Sequence, residues 1–411
     1  MKKITRTLIA LVGILLLTQC NNSKPETPAV VTENPWSCTS TLDPNAEADI
    51  DTKDVDFSFV FMGCNRTDDD LPATTNKSTA NVFQLKRTFN EVCGMKIKPK
   101  FFFFLGDLVL GLKTDTNVLS SELKAWVQQF QADTFSAMPN SGIRMVAVPG
   151  NHEMLYKVAN PPKNFPKEER PWIAAPAIWR SIMQTFSIQA PDDYGISYCA
   201  IDSLTYSFNY KNTHFVLVNT DTYYNSKDSI IPGLVPATWI VNDITAARQQ
   251  NSKQHIFVMG HKPAQIIYKG KLTPQHADSV DDIINLDSVN VIWPAMEKNK
   301  VEAMLTAHRH EFLVTQPTEG KTTQIIAGNG GSLYESHLPD SNQFFGYTKI
   351  YVMKNGHVLA RSFGRITPGS KKNNSYVTPL PCGDLTRLRY KDNITWGRKV
   401  CTFNPLLYPQ K

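Results

Sequence analysis

Met145-Val146-Ala147-Val148-Pro149-Gly150-Asn151-His152-Glu153 is the stretch on which the reading of this 411-residue chain turns. Four apolar residues make a short buried strand, Pro149-Gly150 stops it, and three side chains able to bind a cation or move a proton follow at once. Three other segments repeat the design. Phe101 to Leu105 is an apolar run stopped by Gly106-Asp107, His255 to Met259 ends at Gly260-His261, and Val301 to Leu305 leads into Ala307-His308-Arg309-His310. Taken singly, each has a bland reading: Gly-Asp commonly just ends a strand, and two histidines at i and i+2 can sit on a surface. The chain has only nine histidines, and their gathering in such loops, in this order, exceeds chance. In an open α/β sheet, ligands collect beyond the C-terminal strand ends, so these side chains are expected to converge. Imidazole and carboxylate suit zinc, iron and manganese, and an Asn carbonyl can complete a harder site.

The flanking pattern supports a sheet covered by helices. Phe57 to Met62 is a further apolar strand, ending at Gly63. Val82, Leu85, Phe89 and Val92 recur at helical spacing before a Gly94 C-cap, and Leu123, Trp126, Val127 and Phe130 mark a second helix. Tyr206-Ser207-Phe208 and His214 to Val218 form a hairpin around Tyr210-Lys211-Asn212, and a helix runs from Trp239 to about Gln250. Ile325-Ile326 precedes Gly328-Asn329-Gly330-Gly331, and Tyr347 to Met353 with Val358 to Phe363 makes a closing hairpin turning at Asn355-Gly356. The Pro- and Trp-rich segment from about 154 to 190 and an insertion from about 264 to 290 carry no pattern that names a substrate; both are expected to wall a cleft.

Composition sets the outer bounds. Hydrophobic residues at 41% and charged residues at 19% allow a sizeable core and exclude wholesale disorder. The net charge is +6 without a Lys/Arg block, so no nucleic-acid binding is expected. Lys2, Lys3 and Arg6 precede an apolar run from Leu8 to Leu17, too short to span a bilayer but suited to a signal peptide. It ends at Leu17-Thr18-Gln19-Cys20, which is similar to a bacterial lipobox, although Gln19 departs from the small residue usual there. Residues 1–20 therefore read as a lipoprotein leader, with a lipid on Cys20 tying the exported protein to a bacterial membrane, periplasmic or at the cell surface. Residues 21–55 read as a flexible tether, 56–365 as one catalytic domain and 366–411 as a C-terminal tail. Of seven cysteines, Cys382 and Cys401 flank the tail as candidates for a disulfide, and Cys93 and Cys199 read as core thiols. Nothing in the pattern specifies an oligomeric state.

From about Asp56 to Arg365 the chain resembles the calcineurin-like metallophosphoesterases, which include the purple acid phosphatases. Their pattern is D-x-H, G-D, G-N-H-E/D, G-H and G-H-x-H. The resemblance implies an α/β fold: a four-layer αββα sandwich with two mixed β-sheets and a site for two divalent or trivalent metal ions at one edge. It implies that Asp107 bridges the metals, that Asn151, His261 and His308 complete one, and that His310 binds the other. His152 would contact the phosphoryl group and protonate the leaving oxygen, and Glu153 would orient His152 or close the loop.

The first motif departs from this pattern. Gly63-Cys64-Asn65-Arg66 puts Cys64 at the Asp position and Arg66 at the His position. Arginine stays protonated and does not ligate. Three alternatives stand. Cys64 is a thiolate ligand to iron or zinc, as in some secreted alkaline phosphatases that look similar; or a single metal serves, with the Arg66 fork standing in for the lost charge on phosphate; or the site is degenerate. Asp68, Asp69 and Asp70 read as a solvated loop more readily than as replacement ligands. Leu110 occupies the place of the tyrosine that colours purple phosphatases, so no such charge-transfer band is expected. Lys262 reads as solvent-facing or as a partner for phosphate, and His214, His255, His276, His337 and His357 as structural or surface residues. The expected function is hydrolysis of phosphate mono- or diesters by a metal-activated water, with Fe, Zn or Mn as cofactor. The alternative is a catalytically degenerate surface lipoprotein that binds a phosphorylated ligand.

Overall fold

The computed structural model describes residues 47–48, 50–67, 77–111, 116–154, 171–189, 194–200, 203–221, 233–268, 271–273, 282–318, 321–333, 344–366, 376–377 and 381–384. All lie in the compact unit Cys38–Lys411. The leader and its Cys20, Cys38, Asp68 to Asp70, His276, His337 and Cys401 lie outside the described residues.

In chain order the elements are β1 (Val55–Met62), α1 (Val82–Cys93), β2 (Phe101–Leu105), α2 (Thr116–Gln131), β3 (Arg144–Val148), α3 (Asn151–Met154), α4 (Pro171–Met183), β4 (Ser197–Tyr198), β5 (Tyr206–Tyr210), β6 (Thr213–Val218), α5 (Ala237–Gln250), β7 (His255–Gly260), β8 (Ile266–Tyr268), β9 (Lys271–Thr273), α6 (Leu286–Lys298), β10 (Ala303–Thr306), β11 (Phe312–Thr315), β12 (Thr323–Ala327), β13 (Phe344–Met353), β14 (Val358–Ile366), β15 (Tyr376–Val377) and β16 (Pro381–Asp384). They form two mixed seven-stranded sheets, and β8 and β9 pair apart as a two-stranded sheet. One has the order β15-β14-β13-β1-β2-β3, with β16 also on β14; the other is β11-β12-β10-β7-β6-β5-β4.

The apolar runs behave as strands buried on both faces. In β1, Phe57, Phe59 and Phe61 point between the sheets, while Val60 and Met62 point under the helices. The four phenylalanines of β2 split the same way, Phe101 and Phe103 inward, Phe102 and Phe104 outward. Phe59 meets Phe103, Phe215 and Phe257 edge-on, with ring centroids 5.2–5.5 Å apart, which ties the two sheets together. Beneath α1, α2 and α4, Leu85, Phe89, Leu123, Trp126 and Trp179 cover the first sheet. Ile240, Ile244, Ile292 and Met296 of α5 and α6 cover the second. The layers are therefore helix, sheet, sheet, helix, as the sequence implied.

What positions the site is strand direction. β1, β2 and β3 run parallel, with Phe59 opposite Phe101 and Phe101 opposite Arg144. β6, β7, β10 and β12 are parallel in the second sheet. The sheets are stitched at one edge, where Gly63 N after β1 donates to Ala327 O of β12 (3.0 Å), while Ala307 N to His261 O (2.9 Å) extends the β10–β7 pairing within the second sheet.

The chain's ends depart from the sequence reading. Glu47 and Ile50, in the segment read as tether, are buried. Glu47 accepts from Lys349 Nζ (2.5 Å), Tyr351 Oη (2.6 Å) and Ile97 N (3.0 Å). In the segment read as tail, β15 and β16 extend the first sheet on β14. Besides the single turn α3, two longer helices escaped the sequence reading, α4 and α6; each carries an internal proline, Pro176 and Pro294, and those breakers masked the helical pattern.

Candidate metal centre

Each donor predicted from the sequence sits just beyond a strand: Cys64 after β1, Asp107 after β2, Asn151 after β3, His261 after β7, and His308 and His310 after β10. Six non-glycine residues among those described have positive φ, and three are predicted donors: Cys64 (58°), Asp107 (56°) and His308 (62°). Left-handed backbone at such residues costs about 1–3 kcal/mol each and persists where the surroundings over-determine it, as at a functional site. Glycine is required where the loops touch. A Cβ on Gly106, whose φ is +80°, would lie 2.5 Å from His261 Nδ1, and one on Gly150 would lie 2.3 Å from Asp107 Oδ1.

The ligand atoms form two groups that share Asp107: Cys64, Asp107 and His310, and Asp107, His261 and His308, each within 4.8 Å mutually. Asn151 joins the second group, its Oδ1 lying 3.0 Å from His261 Nε2 and 3.0 Å from His308 Nδ1. His261 Nε2 is also 3.0 Å from His308 Nδ1 and 3.2 Å from Asp107 Oδ1. The outer nitrogens fix the tautomers. His261 Nδ1 donates to Leu105 O (2.7 Å) and His310 Nδ1 to Leu333 O (2.5 Å), leaving each Nε2 for a cation. Asn151 Oδ1, His261 Nε2 and His308 Nδ1 lie 3.0 Å from one another and Asp107 Oδ1 3.2 Å from His261 Nε2, lone-pair atoms with few protons between them, a set suited to a cation. The residues present fit a metal pair, the second position with one carboxylate, one amide oxygen and two imidazoles, the first with thiolate, carboxylate and imidazole.

Electrostatics divides the protein groups, Asp107 and His308 being poised as donors and His261 and Cys64 holding a proton that a cation would displace. Burial opposes charge on Asp107, but the His261 and His152 imidazoles and the Arg66 guanidinium hold its carboxyl well below the usual range. Burial likewise opposes charge on His261, yet the Asp107 carboxylate outweighs it and raises the imidazole. His308 is pushed well down by burial and by His261 and Lys262, keeping a lone pair. Burial, helped by Asp107 and opposed by Arg66, pushes the Cys64 thiol well above its ordinary value.

Two predicted catalytic residues flank the Asp107 carboxylate that both donor groups share. Arg66 Nε lies 3.7 Å and His152 Nε2 3.8 Å from Asp107 Oδ2. The His152 Nδ1 is held by Leu110 O, and burial drives this imidazole down to about 3. Glu153 does close the loop, with its carboxylate on backbone N–H groups rather than on the His152 ring.

Lys262 faces neither solvent nor a phosphate site. It is fully buried and pairs with Asp221 at 2.8 Å. His214 and His255 are structural as expected, paired at 2.8 Å with Asp243 and Glu302. Cys64, Cys93 and Cys199 are free thiols. Reading the sequence missed Asp221, Thr79, Glu122 and the Leu333 carbonyl. Each acts as an acceptor from a distant segment, and no local motif marks it.

A family profile described as calcineurin-like phosphoesterase matches residues 78–312. The chain belongs to that family. The match starts after Cys64 and Arg66, so the altered first motif falls outside it, while Asp107, Asn151, His152, His261, His308 and His310 fall inside. No curated protein matches in sequence. Among solved structures, a purple acid phosphatase from yellow lupin seeds is similar at 13% identity and TM-score 0.45, over 75% of this chain and 51% of that one. This chain thus spans about half the length of that enzyme. PhoD is similar at 13% identity and TM-score 0.46, over 80% of this chain and 67% of that one. A dimetal phosphatase from Danio rerio is similar at 12% identity and TM-score 0.43, over 76% of this chain and 97% of that one.

Proposed function

We propose that this member of the family is an exported, metal-dependent enzyme that hydrolyses phosphate mono- or diesters. The observation that carries the reading is the sharing of Asp107 between two donor groups, one of them closed by Asn151 Oδ1. Bound there, a cation pair supplies Lewis acidity toward phosphoryl oxygens and lowers the pKa of a water. Iron, zinc or manganese suits the imidazoles, and a thiolate at Cys64 favours iron or zinc in the first position.

The chain's own residues do the rest. Arg66, on the same carboxylate oxygen as His152, offers its N–H fork to phosphate oxygens, a fixed positive charge where the family has a neutral imidazole. His152, held at Nδ1 by Leu110 O, keeps Nε2 3.8 Å from Asp107 Oδ2, beside the donor groups. Burial lowers this imidazole, and in this reading a bound phosphate anion favours its protonation, so that it can hand a proton to the leaving oxygen. Export and a lipid on Cys20 rest on the charged leader, its short apolar run and Leu17-Thr18-Gln19-Cys20.

The test is hydrolysis of nitrophenyl phosphate and bis-nitrophenyl phosphate by folded protein loaded with Fe, Zn or Mn. The rate ratio distinguishes monoesterase from diesterase. Absence of turnover with every metal would leave a lipoprotein that binds a phosphorylated ligand. Labelled palmitate incorporated in wild type and lost in Cys20→Ser tests the anchor.

A further inference from the structure

Glu153 closes the Asn-His-Glu stretch, yet neither donor group uses it. It is completely buried, and its carboxylate accepts four backbone N–H groups from two loops. Oε2 accepts from Asp107 N (3.0 Å) and Gly150 N (2.8 Å); Oε1 accepts from Leu108 N (2.7 Å) and Val109 N (3.1 Å). The Asp107 loop is braced further along, where Leu110 N donates to Thr79 Oγ1 (2.8 Å) and Gly111 N to Glu122 Oε2 (2.9 Å). Every backbone N–H from 107 to 111 therefore ends on a side chain. The carbonyl side of the same loop holds the altered first motif. Gly106 O accepts from Cys64 N (3.0 Å), and Asp107 O accepts from Asn65 N (2.9 Å) and Arg66 N (3.0 Å).

We infer that Glu153 is the positioning residue of the centre. Its one carboxylate ties the Asp107 loop to the Asn151 loop. Through the Asp107 carbonyl it also sets the turn that presents Cys64 and Arg66. Only a carboxylate meets the demand: four N–H donors need two acceptor oxygens, whereas a glutamine has one oxygen and turns an NH2 against N–H donors. Without that tie, the left-handed backbone at Asp107 loses the N–H bond that pins it to the Asn151 loop, and the two donor groups no longer share one fixed carboxylate. The catalytic consequence, a fall in kcat, rests on the phosphoesterase reading; the consequence for cation binding does not.

The experiment titrates metal-free full-length protein with Zn(II) and compares wild type, Glu153→Gln, Glu153→Asp and a destabilised control. The control is Ile292→Ala, buried between α6 and the second sheet and outside both loops. Glu153→Gln is expected to weaken zinc binding about 10- to 100-fold, the range for losing a group that orients a ligand, while Ile292→Ala binds as wild type. Zinc affinity within twofold of wild type in Glu153→Gln overturns the inference, and so does an equal loss in the control. If Glu153→Gln does not fold, Glu153→Asp decides. It keeps the charge but is one methylene too short to reach both loops, so weakened binding supports the inference and wild-type binding overturns it. Should zinc binding depend on Glu153 while wild type hydrolyses no ester, the phosphoesterase reading falls and the positioning role stands.

Discussion

Replacing Cys64 by serine probes the one donor that departs most from the family. Cys64 Sγ is one of three ligand atoms in the first group, with Asp107 and His310. It is fully buried, and burial with the nearby Asp107 carboxylate raises the thiol well above its ordinary value. The thiol therefore keeps its proton at neutral pH until a cation arrives, and coordination must expel it. Binding at the first position should release about one proton from Cys64, and affinity there should rise about tenfold, or about 1.4 kcal/mol, per pH unit below the raised pKa. Serine has no proton to lose in this range and is a poorer donor. Since losing a supporting residue alone costs 10–100-fold, losing this ligand should cost about 3 kcal/mol or more. The assay is calorimetric titration of metal-free protein with zinc in two buffers of different ionisation enthalpy, which separates proton release from binding heat. Cys64→Ser should bind the equivalent at the first position weakly and release about one proton fewer than wild type. Cys64→Asp, which restores the family's carboxylate, should recover affinity without the extra proton. The metal-free protein adds a check on sign. A raised folded pKa gives stability that is complete below the ordinary thiol pKa and is lost as pH climbs above it, by up to about 1.4 kcal/mol per unit, and Cys64→Ser should lack this loss. Identical stoichiometry, affinity and proton release in wild type and Cys64→Ser would refute the ligand role.

Arg66→Ala should lower kcat/KM for phosphate esters about tenfold to a hundredfold, mostly through KM, because a charge-assisted donor to phosphate is worth about 1.5–3 kcal/mol; steady-state kinetics with the metals saturating checks it. His152→Ala should cost about 10²–10⁴-fold with an alkyl phosphate, whose leaving oxygen needs a proton, and much less with a nitrophenyl ester; equal losses on the two substrates would remove the proton from its role. Lys349→Met should destabilise the fold by about 3–5 kcal/mol in denaturant melts, since it strands the buried Glu47 carboxylate, and leave kcat of the folded enzyme unchanged. In wild type, burial lowers Lys349 to about 8, so stability should rise between that pH and the ordinary lysine pKa as the costly charge is discharged, a rise that Lys349→Met should lose.

Much of this architecture was legible because strands buried on both faces write themselves as uninterrupted apolar runs, and the donors follow directly where those runs stop. Phe101 to Leu105 and Met145 to Val148 are such runs, and Asp107 and Asn151 come within three residues of their ends. α4 and α6 were not legible because Pro176 and Pro294 interrupt the helical pattern, which packing nonetheless enforces, with Trp179 and Trp293 buried. Lys262 was misjudged because only its fold partner Asp221, 41 residues earlier, explains a fully buried ammonium. The Glu47 clamp on Lys349 joins residues 302 apart, a separation no local pattern encodes.

The two replacements in the first motif work as a pair. Exchanging the family's Asp for Cys64 keeps an anion once a cation is bound, but a softer one. Exchanging its His for Arg66 removes a neutral donor and puts a permanent positive charge 3.7 Å from the bridging carboxylate. At an effective dielectric of about 20, a unit charge at that distance is worth about 4 kcal/mol to Asp107, attraction that a cation in the first position must share. A hard ion such as manganese gains little from thiolate and bears this competition uncompensated, whereas zinc or ferric iron recovers it through the sulfur bond. On the proposed reading, the same guanidinium that would weaken the first position for hard ions would serve as a fixed cation for the phosphate. Cys64 and Arg66 are thus better read as one exchange than as two lesions: a narrower choice of metal in return for positive charge that stays in the cleft whether or not the first ion is bound. A site merely decaying would have no reason to change both positions in compensating directions while Glu153 still ties the Asp107 loop, on which they rest, to Gly150 with four hydrogen bonds.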